Sequence, residues 1–240
     1  MIKADLHLHS CLSPCADITM VPGVVSQKAD SEGIDILSIT DHNACNNVKS
    51  FKKRLYRLLL PGVELTSLEE VHVLAYFSSF EKLDRFCKYV RKFLPVFPYD
   101  PELMGYQVVV NEKDEFVKVE EIFLGSALQL RLKELVDTII FYEGVPVYAH
   151  IERRFGILYQ LGVFPKDDRV KVVEARTREG WKKAIDSGFV VLSNSDAHTP
   201  DEIGCRFTRF KLHKLNLKEV FSVLSIPERE RILSIWDCGP

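Results

Sequence analysis

Histidines and carboxylates recur in this chain where an apolar run gives way to polar residues. DLHLHS carries His7 and His9 two apart. Alternate side chains of a strand share a face, so both imidazoles can reach one cation. SITDHN ends an apolar run with Asp41 and His42, a carboxylate that can orient or protonate beside an imidazole that can ligate. PGVELTS holds Glu64 inside an otherwise apolar strand, where a lone carboxylate is costly to bury. An ion pair with Arg or Lys is one answer to that cost, and a carboxylate bridging two ions is another. EEVHVLAYF and VYAHIERR add His72 and His150, and LSNSDAHT repeats the two-residue spacing with Asp196 and His198. Of seven histidines, only His213 lies away from such strand-end positions. A single H-x-H is weak evidence, because two strand histidines satisfied by backbone groups would also account for it; the coincidence of motifs argues for a site. Imidazoles mixed with carboxylates favour Zn, Mn or Fe over Ca or Mg, and the surplus of ligands implies a cluster of ions.

The elements that must position these residues alternate short β-branched runs with amphipathic stretches. Ile2–His7 reads as a strand, followed by a helix opened by Pro22 and closed near Gly33, then a strand Ile34–Thr40. The alternation continues with a basic-faced helix Asn46–Leu60, strands Gly62–Leu65 and His72–Phe77, and a helix Glu81–Phe93, predicting a parallel sheet. Three prolines in Pro95–Pro101 interrupt it, and Tyr106–Val119 reads as a hairpin, so residues 95–145 are expected to be an insertion. Helix Leu128–Glu143 then leads to strands Pro146–His150, Val170–Ala175 and Phe189–Ser193, with helical segments around Leu158 and Trp181–Ile185 between them. The tail predicts a strand Phe207–Leu212 and helices Leu217–Leu224 and Pro227–Trp236.

Length and composition fit one soluble α/β domain over residues 1–240, with 46% hydrophobic residues to fill a core. No apolar run reaches the length of a bilayer span, and the start MIKADLHLHS lacks a basic region followed by an apolar stretch, which predicts a cytoplasmic protein. A net charge of -2 gives no global basic field, so an extended nucleic-acid surface is not expected. Cys11, Cys15, Cys45, Cys87, Cys205 and Cys238 are scattered and read as reduced thiols; Cys11 and Cys15 lack the second pair that a zinc finger needs.

In their order H-x-H, T-D-H, G-V-E, H, A-H and S-D-A-H, these motifs resemble the polymerase-and-histidinol-phosphatase (PHP) superfamily of metal-dependent phosphoesterases, over nearly the whole chain. The resemblance implies a distorted seven-stranded (β/α) barrel, TIM-like, with a trinuclear site at its C-terminal face. By motif, His7, His9, Glu64 and Asp196 would hold one ion, and the bridging Glu64 with His72 and His150 a second. His42 and His198 would hold a third with a residue of the CLSPCAD loop, for which Asp17 is expected and Cys15 is its rival. The implied chemistry is hydrolysis of a phosphate ester by a metal-bridging hydroxide, using two or three divalent ions of Zn, Mn or Fe, with Glu64, Asp196 and His198 as catalytic residues. Asp5 and Asp41 are read as groups that orient imidazoles. Arg153 and Arg154 follow His150, and Arg176 and Arg178 follow the strand Val170–Ala175; Arg153, Arg154 and Arg176 are the candidates for a substrate phosphate, against their reading as solvated surface charges. The expected partner is a small phosphorylated molecule or a short nucleic-acid end, the insertion being a candidate lid over the barrel mouth. A metal-dependent amidohydrolase and a non-catalytic, metal-stabilised binding domain are the alternatives.

Overall fold

The computed structural model describes residues 1–237, so Cys238 lies outside it. In chain order the elements are β1 (Ile2–Leu8), α1 (Pro22–Ser31), β2 (Ile36–Ile39), α2 (Val48–Arg54), β3 (Leu58–Leu59), β4 (Gly62–Thr66), β5 (His72–Tyr76) and α3 (Phe80–Val90). Then come α4 (Pro101–Met104), β6 (Val108–Val110), β7 (Phe116–Val119), α5 (Leu132–Phe141), β8 (Val145–Tyr148), α6 (Ile157–Leu161) and β9 (Val172–Glu174). The chain ends with α7 (Arg178–Asp186), β10 (Val190–Leu192), β11 (Thr208–Phe210), α8 (Leu217–Ser225) and β12 (Ile232–Leu233).

Local signals account for many of the boundaries. Pro22 opens α1, and Gly33, at φ +64°, takes the left-handed conformation just beyond its end. Ser79 caps α3 by accepting a hydrogen bond from the Lys82 amide, and Leu83, Phe86 and Val90 form its buried stripe. Thr177 and Asn216 cap α7 and α8 in the same way.

The strands form two five-stranded sheets, in the orders β12-β11-β1-β2-β3 and β10-β9-β8-β5-β4, with β6-β7 separate. The expected seven-stranded barrel is therefore not closed by continuous ladders among the described residues. The two sheets meet at single bridges, Leu8 with Ala197 and His42 with Glu64. A register shift in β1 between Asp5 and Leu8 bends that strand out of a regular ladder. Both bridges fall beside predicted ligands.

The expected parallel arrangement is also corrected: β5 runs antiparallel to β4 and β8. The link between β4 and β5 is too short for a crossover helix, so the two must form a hairpin. As a result His72 begins its strand, yet lies at the same end as the residues that finish the others. Two predicted helices give way in part or wholly to strand, and Leu128–Glu143 shortens to α5. Asn46–Leu60 becomes α2 followed by β3, which pairs with β2. Pro227–Trp236 instead contributes β12, which adds to β11 and buries Ile232.

One core cluster packs the helices on the sheets; a second joins Leu6, Leu74, Tyr76, Val147, Val172 and Leu192 from both sheets to Val220 and Leu224 of α8. Burial of such side chains stabilises the fold by about 1.5–3 kcal/mol each. The β6–β7 hairpin braces the loop after β1: the Val108 amide donates to the Cys11 carbonyl at 2.8 Å, and Asn47 clamps the carbonyl of Val108 and the amide of Val110, each at 3.0 Å. Gly105, at φ +96°, lies so close to Pro14 that a Cβ there would stand 1.9 Å from the Pro14 carbonyl oxygen. No helix among the described residues is long and apolar enough to cross a membrane.

Candidate metal centre

Glu64 sits in β4 between Val63 and Leu65, which face the helix-packed core, so strand alternation turns its carboxylate to the opposite side. It is 1% exposed. Its Oε1 lies 2.9 Å from His72 Nδ1, 3.2 Å from His150 Nε2 and 3.3 Å from His7 Nε2. Its Oε2 lies 3.2 Å from His42 Nδ1 and 3.3 Å from His9 Nε2. Asp196 Oδ1 stands 3.4 Å from the Nε2 atoms of both His7 and His9, and His198 Nδ1 is 3.8 Å from the same oxygen. The structure thus brings together His7, His9, His42, Glu64, His72, His150, Asp196 and His198.

Several of these atoms are close without being satisfied. His7 Nε2, His9 Nε2, His42 Nδ1 and Glu64 Oε2 are buried and have no hydrogen-bond partner. Two donors each about 2.0–2.1 Å from one ion, at a tetrahedral angle, stand roughly 3.3–3.4 Å apart. Separations of 3.2–3.4 Å between imidazole nitrogens and carboxylate oxygens match that spacing, so the donor set fits divalent ions.

Three of the imidazoles have their outer nitrogens held in the manner of metal-binding imidazoles, whereas His150 Nδ1 is buried without a partner. His7 Nδ1 donates to both oxygens of Glu174 at 3.1 Å, and Asn194 steadies Glu174 at 2.8 Å. Ser13 gives its hydroxyl proton to Asp41 at 2.7 Å, so it accepts from His9 Nδ1 at 3.0 Å, which puts the lone pair of a neutral, metal-binding His9 on Nε2. His198 Nδ1 donates to the Asp196 carbonyl at 2.8 Å. Asp41 therefore orients His9 through Ser13. Asp5 orients no imidazole; it accepts from the amides of Ser195 and Gly204, each at 3.0 Å, and so anchors the loop that carries Asp196.

Burial alone would raise the Glu64 pKa, but His72, His7 and His42 outweigh it and hold the carboxyl well below its usual range. Asp196 is likewise held low, against burial, by His7, His9 and His150. Burial opposes charge on His7, yet Glu174, Glu64 and Asp196 raise it well above the ordinary imidazole value. His9 is raised to about 9, Asp196 and Glu64 overcoming its burial. Burial, then the neighbouring His9, lowers His198 to about 4. Two non-glycine residues of the cluster, His150 at φ 23° and Asp196 at φ 52°, have positive φ, a strain that folds retain mainly at functional positions.

The remaining predicted residues are placed differently. Asp17 is exposed and turns inward on its own loop, accepting from the Thr19 amide and hydroxyl at 2.8 and 2.6 Å. It does not join the cluster. Cys15, its rival, lies at the rim beside His9, His42 and His198. Arg153 and Arg176 point Nη1 atoms at Asp196 Oδ2, at 3.0 and 3.1 Å, and thereby clamp a predicted ligand. Arg154 instead stacks on Phe155, which stacks on His72. A cavity of about 220 Å³ opens over the cluster, lined by Cys15, Arg153, Arg154 and Phe155 besides the ligand-type residues, with no residue of 95–145. The β6–β7 hairpin braces the loop after β1, and residues 95–145 contribute nothing to the lining of the cavity.

Glu174 escaped the sequence reading, although VKVVEAR bears the same mark as Glu64, a carboxylate inside an apolar strand. Ser13 had no such mark, since a loop serine is ordinary.

No protein-family model and no curated protein matches the sequence. Among solved structures, the lesion-specific endonuclease PfuEndoQ of Pyrococcus furiosus is similar with a TM-score of 0.74 at 15% identity, covering 98% of this chain and 57% of that one. Endonuclease Q bound to a 27-mer duplex with an abasic lesion at its active site gives 0.73 at 16%, over 95% and 57%. The chain thus spans a little over half of the Endonuclease Q chains. A candidate metal-dependent phosphoesterase of Bifidobacterium adolescentis gives 0.55 at 17%, over 81% and 87%. An amidohydrolase of Chromobacterium violaceum with bound sulfate gives 0.53 at 16%, over 96% and 97%. At such identities the likeness is one of fold.

Proposed function

We propose that this chain is a metal-dependent hydrolase that cleaves a phosphate ester. The observation that carries the reading is the Glu64 carboxylate, buried among five imidazoles with several donor atoms unpaired. His7, His9 and Asp196 would hold one ion, and His72 and His150 another, with Glu64 between them. Divalent ions there supply an acidified water and neutralise charge on a phosphoryl oxygen. The chain's own residues do the rest. Glu174 and the Asp41–Ser13 pair fix the imidazoles of His7 and His9, and Arg153 and Arg176 fix Asp196. Arg154, exposed beside the cavity and stacked on Phe155, is the guanidinium placed to meet a substrate phosphate.

A cavity of about 220 Å³ is smaller than the roughly 300 Å³ of a common small-molecule pocket. The reacting group enters it while the body of the substrate stays at the surface. That suits a phosphomonoester, a nucleotide or a nucleic-acid end, and the fold shared with Endonuclease Q supports including nucleic acid. The shared fold with an amidohydrolase keeps amide hydrolysis as the second reading. A non-catalytic domain is disfavoured by the full complement of ligand-type residues. The test is a screen of protein loaded with Zn, Mn or Fe against phosphomonoesters, nucleoside bisphosphates, short oligonucleotides and N-acyl amides. Turnover of amides alone would overturn the phosphate reading, and turnover of none would overturn hydrolysis.

A further inference from the structure

We propose that Cys15 is a metal ligand, forming with His42 and His198 a thiolate-containing ion position at the rim of the cavity that selects zinc over manganese or magnesium. The inference rests on the metal-centre reading above but assigns a ligand that Asp17 was expected to supply. Ligand atoms of His9, Cys15, His42 and His198 all lie within 4.8 Å of one another. Two of these side chains, His9 and His42, are buried and present nitrogens with no hydrogen-bond partner, Nε2 and Nδ1 respectively. His198 has its Nδ1 engaged by the Asp196 carbonyl, which leaves Nε2 as its available donor.

Cys15 is held where these donors meet. The amide of Asp17 donates to the His198 carbonyl at 2.8 Å, and the amide of Ala16 to the Ser13 carbonyl at 3.0 Å. Pro14 is backed by Gly105 of the insertion. The Asp17 carboxylate is occupied by Thr19 and faces away. One imidazole nitrogen serves one ion, so with His9 committed beside His7 and Asp196, the rim retains Cys15, His42 and His198. Three protein ligands with an open fourth position is the pattern of catalytic zinc. On binding, the Cys15 S–H bond breaks, the proton passes to solvent and a sulfur–metal bond forms, with no change in oxidation state. A soft thiolate disfavours Mn and Mg, which prefer oxygen donors.

The test loads the full chain with Co(II) and records thiolate-to-cobalt charge-transfer absorption in the near ultraviolet together with cobalt content. Wild type should show the band; Cys15→Ser should lose it along with one ion per chain, and Asp17→Asn should change neither. A second measurement needs no variant. Zinc loading should slow alkylation of Cys15 by iodoacetamide about ten-fold or more, while the exposed Cys205 reacts alike with and without zinc. Cobalt bound without the band, a band that survives Cys15→Ser, or equal alkylation of Cys15 in both states overturns the assignment and leaves the carboxylate-bridged centre standing. Failure of wild type to bind cobalt or zinc at all overturns the metal centre itself.

Discussion

Replacing Glu64 by Gln keeps the shape of the side chain and removes its charge. The native carboxylate lies within 3.3 Å of five imidazole nitrogens, and it is 1% exposed, so water cannot take over its role. Removing one partner from a buried charge pair costs about 3–5 kcal/mol. At about 1.4 kcal/mol per tenfold, that corresponds to roughly two to four orders of magnitude in the binding of an ion that depends on it. Because both carboxylate oxygens face ligand-type nitrogens, the loss falls on more than one ion. His42→Ala removes a single imidazole at the edge of the cluster, and its effect should be smaller. The assay is elemental analysis of protein dialysed against a defined zinc buffer, paired with kcat/KM on the best substrate of the screen. Glu64→Gln should retain fewer ions and less activity than His42→Ala. Equal residual activity in the two variants with unchanged metal content would refute the bridging role of Glu64.

Without metal, His9 contributes stability that is fully present below about 6.5, its unfolded value, and is lost as pH rises through about 9, and the raised His7 acts in the same direction. The melting temperature of chelated protein should therefore fall between pH 6.5 and 9, and by less with zinc bound; a flat profile without metal would contradict the pairing of these imidazoles with Glu64, Asp196 and Glu174. Gly105→Ala should destabilise the protein by about 1–3 kcal/mol in denaturant melts and lower its cobalt content, because the added Cβ meets the Pro14 carbonyl at positive φ; unchanged values would show that Gly105 does not brace the loop. Arg153→Ala or Arg176→Ala alone leaves Asp196 one guanidinium partner and should retain metal, whereas the double variant should lose it; retention in the double variant would mean that neither arginine positions Asp196. Arg154→Ala should raise KM for a phosphate ester at constant metal content, and an unchanged KM would remove Arg154 from substrate binding.

Most of the candidate site was legible in the sequence because its residues violate local rules. A carboxylate in an apolar strand and histidines at strand ends are costly without partners, so Glu64, His7, His9, His72, His150, Asp196 and His198 stood out before any geometry was known. The alternation of strands and helices was legible for the same kind of reason, since Pro22, Gly33 and the apolar periods act within a few residues. Other features depended on contacts distant in sequence. Local propensity did not reveal that β5 runs against its neighbours, nor that Ile232 is buried in an edge strand instead of a helix. Glu174 carries the same mark as Glu64, but only its place behind His7 shows what it supports. Asp17 and Cys15 are two residues apart, and the family resemblance favoured the carboxylate; the path of the loop, fixed by hydrogen bonds to His198 and by Gly105 against Pro14, turned Asp17 towards Thr19 and Cys15 towards the imidazoles. Sequence determined which residues had to find partners, because that cost is local; the tertiary structure decided which partners they found, because a side chain's direction depends on backbone held by residues far along the chain.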